Sequence, residues 1–242
     1  MLTWTNLAQP GDPYRTGQRL YRKPAPLLAA ITARQTPGNG DSPSTVFAVV
    51  YLPLHRTRAL PVSEGTLAFG FRAASVRGGA GMAALAEAAG LDLMAARSHA
   101  AVLAGHDLPA ELAFLTRPGA APARGLAAAG QAWAGRDRAG RGTPVMIDSA
   151  ADLPGGPALD RVCELARIIS VGRACRLPGS RPAGAGTTAR IAVERALAIA
   201  LACARHLGRC EWEGTLDTAS LISACAWDCF PETRDEGETG AA

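Results

Sequence analysis

An α/β layered sheet is the fold class this sequence predicts, and three observations predict it. Two runs rich in β-branched and aromatic residues, Thr45–Leu52 (TVFAVVYL) and Thr66–Ala74 (TLAFGFRAA), come first and read as strands. Short apolar runs at Ala100–Gly105 and Thr143–Ile147 then alternate with segments of helical spacing. The chain finishes in helices, at about Leu159–Ile169, Thr188–Leu207 and Thr215–Trp227. Strands that are first paired and then alternate with helices argue for a layered sheet over a helical bundle. With 242 residues, 48% of them hydrophobic, the chain is long enough to bury a core. Aromatic residues make up only 5%, so Ala, Leu and Val must build most of that core.

Taken in order, residues 1–43 read as a basic, proline-rich N-terminal arm that ends in linker composition at Gln35–Pro43, with a short helix at Pro26–Arg34. Thr45–Leu52 is bounded by Pro43 and Pro53. In Thr66–Ala74, Leu67, Phe69 and Phe71 alternate to one face. A glycine turn then opens a helix over Gly81–Ala89. After Ala100–Gly105, Pro109 suits the first turn of a helix running to about Leu115, because its missing N–H costs nothing there. Arg124–Trp133 is a further Ala-rich helix, and Asp148 closes the strand that precedes the last helices. The domain is expected over 44–230, followed by an acidic, disordered tail at 231–242.

All but one of the 25 basic residues are arginine, Lys23 being the exception, and the net charge of +4 does not by itself call for nucleic acid. Arg15, Arg19, Arg22, Lys23 and Arg34 load the head, while Glu232, Asp235, Glu236 and Glu238 load the tail. Met1–Asp12 has no secretory pattern, and Glu194, Arg195 and Arg205 interrupt the most apolar helical stretch, so a cytoplasmic protein without a membrane span is expected. The six cysteines include no C-x-x-C pair. Cys203, His206 and Cys210 lie near helical spacing, but buried free thiols fit them better than zinc.

One constellation stands out. His99–Leu115 reads HAAVLAGHDLPAELAFL: an apolar strand ends at His106-Asp107, then come Glu111 and Phe114-Leu115. This resembles the second motif of the DEDD family of 3′–5′ exonucleases, where a strand ends in His-Asn and a metal-binding Asp follows. Val145–Ser149 looks like the next strand of that family. Glu194–Ala200 resembles its third motif, in which His, Ala, Asp and a second Ala share one helix. The resemblance implies a ribonuclease H-like mixed sheet flanked by helices, with a C-terminal helical extension. It also implies two Mg or Mn ions held by carboxylates, which activate water and stabilise the leaving oxygen.

The carboxylates do not follow. The first motif should place Asp-x-Glu at the end of strand one, yet 45–63 contains no acidic residue. In the third motif Glu194 stands at the His position and Ile199 at the Asp position. Glu111 is the one metal ligand the resemblance retains, and Asp107, Asp148 and Glu194 are the other candidate carboxylates. The same residues also suit plain structural roles: Asp107 can cap a helix whose first turn favours Glu111, and Asp148 can open a turn.

Weaker signals remain. Gly79-Ala-Gly81-Met-Ala-Ala84 matches a dinucleotide fingerprint, but no acidic residue follows at the right point. Arg136, Arg138 and Arg141 form a Gly/Arg loop that can follow a phosphate backbone. Trp212, Trp227 and Phe230 either pack the last helix or serve a protein partner. The expected function is a non-catalytic exonuclease-fold protein that needs no cofactor and binds single-stranded nucleic acid or a protein. The alternatives are residual metal-dependent 3′–5′ exonuclease activity on DNA or RNA, and a protein–protein interaction module.

Overall fold

The computed structural model describes residues 1–7, 26–36, 43–116, 123–136, 143–169, 185–226 and 229–230. The protein has a mixed α/β fold built on a six-stranded sheet. Its elements begin with β1 (Leu2–Thr5), β2 (Leu27–Thr36), β3 (Ser44–Pro53), β4 (Leu60–Pro61) and β5 (Gly70–Arg77). Then come α1 (Met82–His99), β6 (Ala100–Gly105), α2 (Leu108–Ala113), α3 (Arg124–Ala134) and β7 (Val145–Asp148). The rest is α4 (Leu159–Leu165), β8 (Ile168–Ile169), α5 (Ala185–His206), β9 (Cys210–Glu211), β10 (Leu216–Asp217) and α6 (Thr218–Ala226).

The strands lie in the order β1-β5-β3-β2-β6-β7. Neighbours from β1 to β2 are antiparallel, and β2, β6 and β7 run parallel. The parallel half needs helical crossovers, and α1 supplies the one that carries the chain from β5 to β6. No described helix is long and apolar enough to cross a membrane.

The strand at the centre of this sheet is the segment expected to be a short helix. Leu27–Thr36 pairs with β3 along its whole length, from Leu27↔Pro53 to Thr36↔Ser44, and with β6 on its other side. Its alanines favour helix in isolation, but sheet pairing overrides that preference. Leu28 and Ala30 face one core layer and Ala29, Ile31 and Ala33 the other, so both faces are apolar and no polar alternation marks the strand. Residues 1–43, expected to form an arm outside the domain, therefore contribute β1 and β2 to the sheet. The tail at 231–242 lies outside the described residues.

Smaller differences follow from the same pairing. The strand expected at Thr66–Ala74 runs from Gly70 to Arg77, because Asn6 holds the Phe69 carbonyl and the Phe71 N–H and so fixes where pairing with β1 ends. The helix expected at Gly81–Ala89 continues to His99. The helix expected to reach Ile169 stops at Leu165, and Ile168–Ile169 pairs in parallel with β10.

Helices cover both faces. α5 lies against β2, β3 and β5, and its stripe of Ala189, Ala192, Val193, Ala196, Leu197 and Ala200 is fully or almost fully buried. On the opposite face α1 packs on β3, β5 and β6, and α3 lies on α1 and α2; α1 and α3 cross at two glycines. A Cβ on Gly125 would be driven into the Gly90 carbonyl, whereas one on Gly130, in the same helix, would meet nothing within 4 Å.

Gly125→Ala is thus expected to destabilise the fold by about 1–3 kcal/mol through overpacking. Gly130→Ala is expected to stabilise it by about 0.5–1 kcal/mol. Urea denaturation of the two variants measures both effects.

Candidate functional site

The site is assembled at the end of the β2–β6 pairing. The two strands pair as far as Ala30↔Ala104, after which β6 ends at Gly105 and the chain turns into α2. Beyond that point β2 needs another partner, and α2 provides one. Glu111 Oε2 accepts the Ala33 N–H at 3.1 Å, taking the place of a strand carbonyl. Its other oxygen, Oε1, accepts Nη2 of Arg195 at 2.8 Å and Nε at 3.2 Å. Arg195 descends from α5 and also donates to the Thr32 hydroxyl at 3.2 Å.

This is a nearly dry ion pair: the Glu111 side chain is 7% exposed and that of Arg195 is 17%. Burial is the largest effect and leaves the Glu111 carboxyl above its ordinary value, although the Arg195 guanidinium and the bonds from Thr32 and Ala33 pull it down. Strand alternation puts Arg34, which is exposed, on the same face of β2 as Thr32.

A divalent ion does not fit here. Magnesium or manganese needs several oxygen ligands close together. Both Glu111 oxygens are engaged, Thr32 is neutral, and a guanidinium occupies the space between them. Among the described residues, no three His, Cys, Asp or Glu side chains stand close enough to hold one ion.

The other candidate residues form separate clusters. His106, at the end of β6, bonds Ser149 Oγ through Nδ1 at 2.9 Å and the Pro157 carbonyl through Nε2 at 2.8 Å. A carbonyl can only accept, so Nε2 carries the proton and Nδ1 accepts from the hydroxyl. Burial pushes the ring's pKa down, against the pull of the Pro157 bond. Ser149 is completely buried, and the pair ties the end of β6 to the turns that follow β7.

Asp107 takes a left-handed conformation, φ 52°, and its side chain makes no capping bond to α2. Asp148 is used by the backbone instead: its Oδ1 accepts the N–H groups of Asp107 and Ala150. Arg136 lies 3.6 Å from Asp148 and 3.6 Å from Asp152, and sits over Trp133. It is engaged by acids already, while Arg138 and Arg141 lie outside the described residues. Glu194 points away from Glu111, toward α6: Arg190 bonds its Oε1 at 3.1 Å and reaches Ser223, and Oε2 is buried without a partner. The Glu111 carboxylate therefore bonds none of the carboxylates of Asp107, Asp148 or Glu194, and its residue meets Asp107 only through the backbone, the Glu111 N–H donating to the Asp107 carbonyl at 3.1 Å.

Elsewhere, Cys163, Cys203 and Cys210 are buried free thiols. Trp212 is buried and Phe230 stacks on Phe71 at 5.2 Å, so both pack the domain; Trp227 lies outside the described residues. The glycine turn at Gly79–Gly81 follows β5, which is separated from β6 by two strands, so α1 does not join adjacent parallel strands as a dinucleotide fingerprint requires.

No protein-family model matches the chain, and no curated protein or solved structure is similar enough to assign a relative.

Sequence reasoning missed Thr32 and Arg195. Thr32 was hidden by the reading of its segment as a helix. Arg195 carries a signal as a cation on a largely apolar helix, yet in the sequence it registers as a break in hydrophobicity and as a position between motif residues.

Removing one partner from such a pair leaves a buried charge unmatched. Arg195→Met is expected to cost about 3 kcal/mol, and the double variant with Glu111→Gln is expected to regain most of it in urea denaturation.

His106 makes stability depend on pH. Above about pH 6.5, its ordinary value, the ring is neutral folded and unfolded, and its contribution is fully present. Below that the unfolded chain takes up the proton first, and stability is lost until the folded ring also protonates. The urea midpoint is expected to fall from pH 7 to 5 more steeply in the wild type than in His106→Gln.

Proposed function

We propose that the protein is a non-catalytic relative of the exonuclease fold that binds single-stranded nucleic acid without metal. The observation that carries this reading is Arg195 seated on Glu111 and Thr32. A mixed sheet with helices on both faces is what the ribonuclease H-like resemblance calls for.

Contact with Glu111 supports a different register for the motifs. The residue of α5 that reaches Glu111 is Arg195, whereas Ile199 is completely buried in the core. Moved back by one helical turn, the pattern of His, Ala, Asp and Ala falls on Arg190, Ala192, Arg195 and Ala196, and both alanines match. With β2 as strand one, Asp-x-Glu falls on Thr32-x-Arg34. In this register the acidic positions hold Thr32, Arg34, Glu111 and Arg195, so a set that would carry four negative charges carries two positive and one negative. A phosphate backbone that would need metal ions to approach four carboxylates meets net positive charge here.

A protein partner is the second reading. It is favoured by Leu91 and Met94, which are 60% and 48% exposed and lie one turn apart on α1.

Fluorescence anisotropy with labelled single-stranded DNA and RNA in EDTA tests the proposal. Saturable binding that weakens with salt is expected, with Arg34→Glu lowering the salt slope by about one. No shortened product is expected in manganese. Cleavage lost in Glu111→Ala would show a nuclease instead, and absence of binding to either strand would leave the protein-partner reading.

A further inference from the structure

A second feature lies away from the Glu111 cluster, where α4 and the C-terminal turns of α5 leave a pocket of about 190 Å³. Its floor and walls are aliphatic, formed by Leu153, Val162, Leu165 and Ala202, and its polar groups are Arg205 and His206. No acidic side chain lines it.

The cation here is held in place. Arg205 Nη1 donates to the Ala166 carbonyl at 2.7 Å, and the guanidinium lies over the Trp212 ring at 4.5 Å. Those contacts fix its plane and use one of its five N–H donors. Among the described residues it has no ion-pair partner. The acids next in sequence to the lining are engaged elsewhere: Glu164 is bound to Arg161 at 2.7 Å, and Asp152 accepts the Asp148 N–H at 2.7 Å and lies 3.6 Å from Arg136. Leu165 is 49% exposed, so the aliphatic wall continues outward to the opening.

We propose that this pocket binds a short aliphatic carboxylate. The alkyl chain lies on Leu153, Val162 and Ala202, and the carboxylate meets the oriented Arg205 guanidinium, with His206 beside it. Arg–carboxylate pairing is charge-assisted and geometrically matched, and an apolar cavity with one such group is the usual form of a small-molecule site. The volume lies below the range of about 300–1,000 Å³ that suits drug-sized ligands, which points to a chain of a few carbons. The site is independent of the nucleic-acid reading, since it shares no residue with the Glu111 cluster.

The test is a titration of the full chain with hexanoate, hexanol and hexylamine, followed by NMR chemical shifts. Hexanoate is expected to bind at least tenfold more tightly than hexanol, and hexylamine not at all. Leu165→Glu puts a negative charge at the opening on an exposed position. It is expected to weaken hexanoate at least tenfold more than it weakens hexanol, with the thermal midpoint unchanged. Ala202→Leu fills the cavity and is expected to abolish both. The proposal is overturned if hexanoate binds no better than hexanol, or if Leu165→Glu leaves its affinity unchanged.

Discussion

A carboxylate buried at the end of a parallel strand pair needs a cation, and the architecture around Glu111 supplies one. An isolated ionised group at this depth is too costly to keep. The pairing of Glu111 with Arg195 resolves that cost, and it ties together three elements distant in sequence: α2, α5 and the end of β2. The Ala33 N–H would be an orphan where β6 turns away, and the same carboxylate satisfies it. Replacing such a pair by well-packed apolar groups often costs little, so its presence says more about geometry than about stability. It fixes how far α5 can slide along the sheet, since the guanidinium must reach Glu111 and Thr32 together.

The same interaction explains why one charged group can stand where a metal centre is implied. A divalent ion between carboxylates and a guanidinium on one carboxylate both solve the problem of bringing negative charge out of water. They differ in what remains available. Metal ions keep open positions for water and substrate oxygens. A guanidinium is always charged, directional, and unable to activate water. On the proposed reading, exchange of one for the other conserves the fold and removes the chemistry.

The legibility of this fold followed burial. β3, β6, α3 and α5 were readable because each is bounded by proline or glycine, or has one unmistakable apolar face or run. β2 was not. Its sequence, LLAAITARQT, has an alanine-rich body and both faces covered, so neither helical nor alternating period appears, and only the pairing partners decide. With Leu27–Thr36 read as part of an arm, Thr45–Leu52 becomes strand one, and under the proposed reading the first motif then falls one strand too late, away from Thr32 and Arg34. Under the same reading the third motif is ambiguous by one turn, because an alanine repeat every fourth residue on α5 fits the pattern in two registers. Contact with Glu111 breaks the tie. Glu111 itself was legible, because the strand end, Pro109 and the Phe114-Leu115 pair mark its position independently of composition.

The central claim is that the Arg195 guanidinium fills the place of a divalent ion, and calorimetric titration of manganese at neutral pH tests it most directly. The wild type is expected to give no saturable heat at millimolar metal. The variant carrying Thr32→Asp and Arg195→Asp, which places two more carboxylates beside Glu111, is expected to bind. Saturable binding by the wild type that disappears in Glu111→Ala would contradict the account and return the site to metal chemistry.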